Sequence, residues 1–465
     1  MGNATSSFDE GSNPNPKYVP EGVWLSDSAS RTAPSATLAI NELSKQLQAE
    51  GKEIYRMGLG QSPFPVPPPL VKALAECAAQ KDYLPVQGLL ALREAIAAWL
   101  SAPPSLTGSP VSGAKFEVDN IIVGPGTKEL MFTLQFCLDA ELLLPSPSWV
   151  SYAPQANLLG RKVRWLETKK ENGWKLDPLS LQTFLKSPSQ SRWKTKLLVL
   201  NFPCNPTGSA FSAEELKQLA EVLKDFPEVV VLSDEIYSLT NFTKEGHTSI
   251  AQYLPDRTCI SNGLSKWAGA GGWRLGFLAL PSALVKVRKA ICGVASETFS
   301  CVAAPIQHAS IVAFDSQNSG MISFLKTQRK VNARIVRAAA EALKAGGVPV
   351  LEPSGGFYLW ADLSGVGSVR RRFKEGVKMS EALLRQHGVA LLAGSHFGRP
   401  KEELTVRIAA VDFDGAAAMA AAAAEQSEGE AGESKERDEV FCREYAPRVM
   451  KAIELLIGFC KGEGH

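Results

Sequence analysis

Residues 261–276 read SNGLSKWAGAGGWRLG, and this stretch decides how the rest of the chain is interpreted. Lys266 follows an apolar run and lies among small residues that would let a ligand approach the backbone. Arg274 comes eight residues later. This spacing favours an amine that can form an imine beside a guanidinium that can hold an anion. The alternative is a surface lysine and arginine in a glycine-rich loop.

Polar residues also follow two other apolar runs. Asn205 comes shortly after the run 196–201. Asp234 directly follows the run 229–233, and Tyr237 lies three residues further on. Open α/β sheets bind ligands at the carboxyl ends of their parallel strands, so these side chains are predicted to meet there. A buried Asp234 is costly without a cation or a strong donor as its partner, and a pyridinium N–H would supply one.

Short apolar runs alternate with helical periods from residue 70 to residue 280, which predicts an α/β domain with a mainly parallel sheet between helices. A helical pattern covers 282–345, and two later strands flank a helix at Ser380–His387, which predicts a smaller α+β domain. The predicted strands are Tyr55–Leu59, Asn120–Val123, Glu141–Leu144, Lys162–Trp165, Lys196–Asn201, Val229–Ser233, Thr258–Ser261, Gly276–Leu280, Gly356–Trp360 and Thr405–Ala410.

The length of 465 residues exceeds what one hydrophobic core usually spans, so two domains are expected. Residues 416–439 run from alanines into an acidic stretch and are predicted to be a solvated, low-complexity insertion. Residues 441–459 regain helical apolar spacing, which predicts a packed C-terminal helix. The predicted division is a mobile N-terminal arm over 1–34, a large domain over 70–334, and a small domain made of 35–69 and 335–465.

Overall charge and cysteine usage argue against several classes of function. Lys plus Arg number 50 against 48 Asp plus Glu, and this net charge of +2 provides no field to gather nucleic acid. Eight cysteines without C-x-x-C spacing and five histidines suggest neither a disulfide framework nor a metal site. No apolar run approaches about 18 residues, so no membrane span is expected and a cytoplasmic location is predicted. The leader Met1–Ser6 fits the pattern for N-myristoylation of Gly2, with an unmodified polar leader as the alternative.

Three motifs follow one another along the chain: Asn205-Pro206-Thr207-Gly208, Asp234-x-x-Tyr237, and Lys266 with Arg274 eight residues on. In this combination the chain resembles the class I aminotransferases, the fold-type-I family of pyridoxal-phosphate enzymes that includes aspartate aminotransferase. The resemblance spans residues 36–415 and extends to the last predicted helix. It implies a large domain with a mainly parallel sheet, a smaller α+β domain, pyridoxal 5'-phosphate as cofactor, and a homodimer with shared active sites.

The resemblance also implies roles for residues around the cofactor ring. Lys266 would hold the cofactor as an internal aldimine and, once displaced by substrate, move the proton between Cα and C4′. Asp234 would keep the ring nitrogen protonated. Tyr237 and Asn205 would donate hydrogen bonds to the ring 3-oxygen. Trp149 matches the aromatic residue that stacks on the ring, with a core tryptophan as the alternative.

The cofactor phosphate is expected at Arg274 and at the glycine turn 124–128, which opens a helical pattern. A glycine turn at a helix N-terminus presents free N–H groups to an anion. The candidates in this turn are Gly126, Thr127 and Lys128. Thr127 is alternatively the N-cap of the helix, and Lys128 is alternatively a solvated side chain.

One position departs from the family pattern. Many relatives carry a hydroxyl residue three positions before the lysine, where this chain has Gly263. Ser265 and Ser261 are the substitutes to consider as phosphate donors. Tyr83 matches the tyrosine that reaches the phosphate of the neighbouring subunit.

Substrate recognition is only partly readable from the sequence. Arg407 matches the arginine that clamps the α-carboxylate, and Gly60 matches the backbone segment that closes beside it. Relatives strict for dicarboxylates place an arginine near 296–301, and this chain has none there. Other candidate readers of a distal carboxylate are Lys128, Lys17 and Arg31.

These features together predict an aminotransferase that moves the amino group of an α-amino acid to a 2-oxo acid such as 2-oxoglutarate. A lyase, decarboxylase or cyclase on the same fold uses the same lysine, aspartate and arginine, and is the alternative. A regulatory binding protein on this scaffold would require the loss of a core residue of the motifs. The chain retains all of them.

Overall fold

The computed structural model describes residues 23–30, 36–102, 115–187, 191–427 and 435–462. Gly2, Lys17 and Arg31 therefore lie outside the described residues, as does most of the predicted arm. The strands are β1 Tyr55–Arg56, β2 Ile121–Gly124, β3 Ala140–Ser146, β4 Val163–Glu167, β5 Thr195–Asn201, β6 Val229–Asp234, β7 Thr258–Gly263, β8 Gly276–Ala279, β9 Tyr358–Asp362, β10 Val389–Ala390, β11 Leu392–Ala393 and β12 Thr405–Ala409.

Helices alternate with these strands and cover the sheets. None of those described is long and apolar enough to cross a membrane. The helices are α1 Asp27–Ser30, α2 Ala36–Ala49, α3 Pro68–Cys77, α4 Leu90–Ser101, α5 Thr127–Cys137, α6 Tyr152–Leu158, α7 Pro178–Lys186, α8 Ala213–Lys224, α9 Val285–Thr298, α10 Ala304–Ser310, α11 Ser319–Ala345, α12 Gly367–Arg372, α13 Gly376–His387, α14 Gly415–Ser427, α15 Lys435–Tyr445 and α16 Pro447–Lys461.

The main sheet has the strand order β2-β8-β7-β6-β5-β3-β4. Every neighbouring pair is parallel except the two that involve β8, which runs antiparallel to β2 and to β7. All residues of β2, β6 and β7 are buried, because helices cover both faces of the sheet. The predicted α/β class with a mainly parallel sheet is confirmed, and the predicted strand 276–280 is its antiparallel member.

Strand register assembles polar residues at the carboxyl edge of this sheet. Asn201 pairs with Asp234, and Asp234 pairs with Ser261 on the next strand. The side-chain amide of Asn201 donates to the backbone carbonyl of Asp234 at 2.8 Å and accepts from the backbone N–H of Asn205 at 2.8 Å. The ends of β5, β6 and β7 therefore form one polar edge, as the sequence predicts.

Glycines bring two loops together beside that edge. Gly276 of β8 pairs with Gly263 on one side and Gly124 on the other. A Cβ at Gly263 would lie 2.7 Å from the carbonyl oxygen of Leu275, and one at Gly276 would lie 2.6 Å from the backbone nitrogen of Thr127. A side chain at position 263 would collide with this backbone, so the two loops could not approach as closely with a hydroxyl residue there.

The remaining strands form two smaller sheets. β11, β12 and β9 make an antiparallel sheet, and β1 pairs with β10 in parallel. The predicted strands 356–360 and 405–410 are confirmed as β9 and β12, and the predicted helix 380–387 is the last two-thirds of α13. The helical pattern at 282–345 divides into α9, α10 and α11, with Ser300 at a φ of +57° in the first break. Because α11 runs across residue 334, the domain limits stay a prediction.

The prediction of a solvated insertion at 416–439 is wrong for its alanine half. Ala418 and Ala422 of α14 are completely buried in the same core cluster as α11. They lie four residues apart, on one face of the helix, where small side chains allow close packing. The packed C-terminal helix is confirmed as α16, which begins at Pro447 after a break from α15.

Candidate active site

Lys266 lies half-buried in the loop after β7. Its Nζ donates to the backbone carbonyl of Gly60 at 2.7 Å and lies 5.9 Å from the ring centre of Tyr237. Burial and the positive charge of Arg407 lower the pKa of Lys266 to about 8, although Asp234 opposes this shift. An amine with this pKa is partly unprotonated near neutral pH, as a nucleophile or proton carrier must be.

Asp234 ends β6 and is 3% exposed. The Tyr152 hydroxyl donates to its Oδ2 at 2.5 Å, and the backbone N–H of Ile236 reaches its Oδ1 at 3.4 Å. Burial raises the pKa of Asp234 to about 7, and these two hydrogen bonds compensate only in part. A cationic partner would therefore stabilise this carboxylate, as the sequence argument requires.

Tyr152 is a site residue that the sequence reasoning missed. It starts α6 three residues after Trp149, and the two rings meet edge to face with centroids 5.1 Å apart. The spacing Trp149-x-x-Tyr152 is the signal that could have found it, because the turn leading into α6 joins the Tyr152 N–H to the Trp149 carbonyl at 3.3 Å and brings the two rings together. Trp149 itself is half-buried.

Tyr237 and Asn205 meet at a second unpredicted tyrosine, Tyr358 of β9. The hydroxyls of Tyr237 and Tyr358 lie 2.7 Å apart, and Asn205 Nδ2 donates to the Tyr358 hydroxyl at 3.4 Å. All three side chains are buried. The sequence holds no signal for Tyr358, because an aromatic residue in an apolar strand reads as core.

Arg407 of β12 is a buried cation close to the same group. Its Nη1 donates to Asn205 Oδ1 at 2.9 Å, its Nη2 donates to the carbonyl of Gly58, and its Nε is buried without a hydrogen-bond partner. Its guanidinium carbon lies 4.7 Å from the ring centre of Tyr358. No carboxylate pairs with it among the described residues, so an anionic ligand would relieve the cost of burying it.

Gly60 lies against the Tyr358 hydroxyl. A Cβ built on Gly60 would lie 1.9 Å from that oxygen, so no larger residue fits here. Since the carbonyl of Gly60 also accepts the hydrogen bond of Lys266, this segment touches both sides of the predicted site. The predictions for Lys266, Asn205, Tyr237, Arg407 and Gly60 thus fall on one connected group.

The predicted phosphate turn packs against Arg274. Gly126 is the N-cap of α5 at a φ of +90°, and a Cβ there would lie 2.2 Å from Arg274 Nη2. Arg274 has a left-handed φ of +54° and donates to the carbonyls of Gly271 and Pro125 at 2.7 and 3.2 Å. Thr127 is the first residue of α5, so the alternative that it caps the helix is wrong. The turn offers free N–H groups and a guanidinium to an anion.

Four other predicted residues differ in their surroundings. Lys128 is exposed, its Nζ lies 5.1 Å from the ring centre of Trp149, and partial desolvation and Arg274 lower its pKa. Ser261 is buried, and its Oγ has no hydrogen-bond partner. Ser265 is half-buried, and Tyr83 is 92% exposed.

The donor set fits pyridoxal phosphate. A pyridinium needs a buried carboxylate, a phosphate needs a helix N-terminus and a guanidinium, and an aldehyde needs an amine of lowered pKa. Asp234 could supply the carboxylate, the turn with Arg274 the anion site, and Lys266 the amine.

Comparison with known proteins supports this assignment. The family model described as "Aminotransferase class I and II" matches residues 52–422. The aspartate aminotransferase of Bacillus subtilis (strain 168) is 31% identical over 385 residues, which covers 81% of this chain and 92% of that protein. A bifunctional aspartate aminotransferase and glutamate/aspartate-prephenate aminotransferase of Petunia hybrida is 32% identical over 392 residues, which covers 81% of this chain and 77% of that protein. The solved aspartate aminotransferase of Thermus thermophilus with maleate has a TM-score of 0.75 at 27% identity and covers 93% of this chain and 98% of its own.

Proposed function

This chain belongs to the family of class I and II aminotransferases, and on that premise we propose that it exchanges an amino group between a dicarboxylic α-amino acid and a 2-oxo acid. It is a pyridoxal-phosphate-dependent transaminase. A set of cations around Lys266 supports a dicarboxylic substrate. Arg407 is buried with its Nε unpartnered, Lys128 lies over Trp149, and Arg274 lines the glycine turn, whereas Asp234 is the carboxylate that opposes them at Lys266. A cofactor phosphate and two substrate carboxylates would balance these cations.

The cofactor, when bound, supplies an aromatic ring that accepts the electrons released at the substrate Cα. Asp234 would hold the ring nitrogen by charge, with Tyr152 fixing the carboxylate through its 2.5 Å hydrogen bond. Tyr237 and Asn205 would donate to the ring 3-oxygen, and Trp149 would pack on the ring face. These placements explain why so many polar groups converge on one buried edge of the sheet.

The phosphate would be held by the N-terminus of α5 and by Arg274. The positive φ of Gly126 turns the backbone so that the N–H groups at Thr127 and Lys128 lead the helix. Ser261 Oγ, buried without a partner, and Ser265 are the hydroxyls that would stand in for the side chain missing at Gly263. Tyr83 would reach the phosphate of the neighbouring subunit in a homodimer, which accounts for its exposure in the single chain.

Lys266 would act as the amine that links the cofactor and afterwards as the group that moves the proton at Cα. With a pKa of about 8 it can hold or release a proton near neutral pH. Its present hydrogen bond to the Gly60 carbonyl ties it to the segment beside Arg407. Entry of substrate at Arg407 would therefore act on the backbone that holds the lysine.

Arg407 would clamp the substrate α-carboxylate, and Lys128 would read the distal one. The Nε of Arg407 is a buried donor without a partner, which a carboxylate oxygen would satisfy. Lys128 lies over Trp149, beside the face where the substrate would stand. Acidic substrates are also those named for the relatives, and the maleate of the Thermus thermophilus structure is a dicarboxylate. A cytoplasmic location remains our sequence-based prediction.

The test compares acidic and neutral amino donors with 2-oxoglutarate as acceptor. Lys128→Gln should lower kcat/KM for aspartate and glutamate about 10- to 100-fold, because a charge-assisted hydrogen bond is lost, and leave alanine unchanged. Lys72→Gln, with 80% of its side chain exposed on α3, is the matched control. Equal losses for all donors would overturn the role of Lys128. Steady release of CO₂ or ammonia without an acceptor would overturn amino transfer.

A further inference from the structure

Tyr358 lies where the arginine clamp, the Gly60 segment and Tyr237 meet. Its hydroxyl is 2.7 Å from that of Tyr237 and 3.4 Å from Asn205 Nδ2, and its ring lies beneath the Arg407 guanidinium at 4.7 Å. The Gly60 backbone packs against the same hydroxyl. One buried phenol therefore touches four residues that the sequence assigns to the site.

The direction of the hydrogen bonds in this group follows from chemistry. An arginine can only donate, so the Asn205 atom that faces Arg407 Nη1 must be its carbonyl oxygen. The Asn205 amide nitrogen then faces Tyr358 and can only donate to it. The Tyr358 proton is thereby directed away from Asn205, and the Tyr237 hydroxyl at 2.7 Å is the acceptor within hydrogen-bond distance of it.

Tyr237 is consequently the last member of this series of hydrogen bonds. Since its oxygen accepts from Tyr358, its own proton is free to point elsewhere. Burial raises the pKa of both tyrosines, so each hydroxyl keeps its proton at neutral pH. Hydrogen bonds in series polarise one another, and a phenol that accepts one bond donates a stronger one.

We propose that Tyr358 is a positioning residue that relays the orientation of the Arg407–Asn205 pair to Tyr237, so that the Tyr237 hydroxyl proton is aimed at the cofactor's 3-oxygen. This rests on the proposed function, which places Tyr237 beside that oxygen. The series of hydrogen-bond donors runs Arg407, Asn205, Tyr358, Tyr237, and it begins at the group that would bind the substrate α-carboxylate. Substrate binding at Arg407 would thus change the strength of the hydrogen bond that Tyr237 donates to the 3-oxygen.

The test is a pH titration of the visible absorption of the cofactor-loaded protein, without substrate. Donors to the 3-oxygen stabilise its negative charge and favour the deprotonated chromophore, so a weaker donor raises the midpoint pH. Tyr358→Phe keeps the ring and should raise the midpoint by about half a unit to one unit, the equivalent of one hydrogen bond. Tyr358→His restores a ring donor and should recover part of the shift. Tyr253→Phe, which packs in a different core cluster, should cause none.

A double-mutant cycle separates the relay from its premise. Tyr237→Phe alone should raise the midpoint further than Tyr358→Phe does, and adding Tyr358→Phe to it should change nothing more, since the relay acts through Tyr237. A full shift for Tyr358→Phe in the Tyr237→Phe background, or none in the wild type, would overturn the relay. No shift for Tyr237→Phe would instead contradict the proposed placement of Tyr237.

Discussion

Asp234 illustrates at the scale of one residue how a functional group weakens the fold that holds it. Burial raises its pKa from 3.8 to about 7, so the unfolded chain ionises first and stability falls as pH rises between these values. In cofactor-free protein, Asp234→Asn should remove this loss and stabilise the chain at pH 8 by up to about 4 kcal/mol. The gain should shrink toward pH 5.

Urea unfolding of the cofactor-free variants at pH 5 and pH 8 measures this difference. Tyr152 can still donate to an amide oxygen, so the packing is retained. The same Asp234→Asn substitution should slow amino transfer by orders of magnitude in the loaded enzyme, because an amide carries no charge for the ring nitrogen. Equal stability of wild type and variant at pH 8 would argue that Asp234 is not penalised by burial.

How much of the site was readable from the sequence depends on where each residue's partner lies. Asp234 ends one apolar strand and Lys266 follows another by three residues, so the strand pattern alone places them at one edge. Tyr358 gains its role only from Tyr237, which lies 121 positions away in sequence. Local spacing carries no trace of such a contact. The N-cap assignment of Thr127 failed for the opposite reason, since the preceding glycine took the cap at a φ open mainly to glycine.

At the scale of an element, the turn before α5 tests whether backbone geometry makes the phosphate site. Gly126→Ala adds a Cβ 2.2 Å from Arg274 Nη2 at a φ of +90°, so the guanidinium must move and the backbone is strained. We expect the dissociation constant for pyridoxal phosphate to rise at least about 10-fold, the equivalent of one lost charge-assisted hydrogen bond. Gly272→Ala is the matched control on the Arg274 side, because a Cβ there meets nothing within 4 Å.

Fluorescence or absorbance titration of the cofactor-free proteins with pyridoxal phosphate gives both constants. Thermal unfolding without cofactor shows whether Gly126→Ala still folds. If Gly272→Ala weakened binding as much as Gly126→Ala, the effect would belong to loop flexibility rather than to the turn.

The sequence predicts an element where burial alone defines it. It does not predict the direction of a strand, or the packing of a helix through small residues. A strand buried on both faces looks the same in sequence whether it runs parallel or antiparallel, so the direction of β8 could not be read. The alanines of α14 resemble low complexity, although two of them fill a close helix contact with α11. Small side chains pack without leaving an apolar period.

For the whole molecule, Arg334 shows that α14 and α15 pack against α11. On α11 it is 9% exposed, and it binds Glu425 and Asp438 with N···O distances of 2.6 Å each. Its guanidinium carbon lies 3.8 Å from the ring centre of Phe441. Arg334→Met should lower the free energy of unfolding by about 2 kcal/mol, discounted from a fully buried pair because both carboxylates are partly exposed.

The control for this prediction is Arg443→Met. Arg443 pairs with Glu439, and their side chains are 70% and 56% exposed, so the loss should stay within about 0.5 kcal/mol. Deletion of residues 416–439 should destabilise the protein because it removes Ala418 and Ala422 from the core. Unchanged unfolding curves for Arg334→Met would show that the ion pairs do not secure α14 and α15.

Whether Tyr83 serves the active site of the neighbouring subunit is a question about the dimer. If Tyr83 serves the neighbouring site, a dimer of one Lys266→Ala chain and one Tyr83→Ala chain contains one site with both Lys266 and Tyr83 and one with neither. Two impaired proteins should then regain activity when they are unfolded together and refolded as a mixture, up to about a quarter of wild type for random pairing in a two-fold dimer. Refolding each variant alone gives the baseline.

If Tyr83 acted within its own chain, no mixed dimer would hold a complete site, and the mixture would show only the average of its parts. Size-exclusion chromatography of the refolded mixture checks that dimers have formed, and a monomer there would refute the shared site directly.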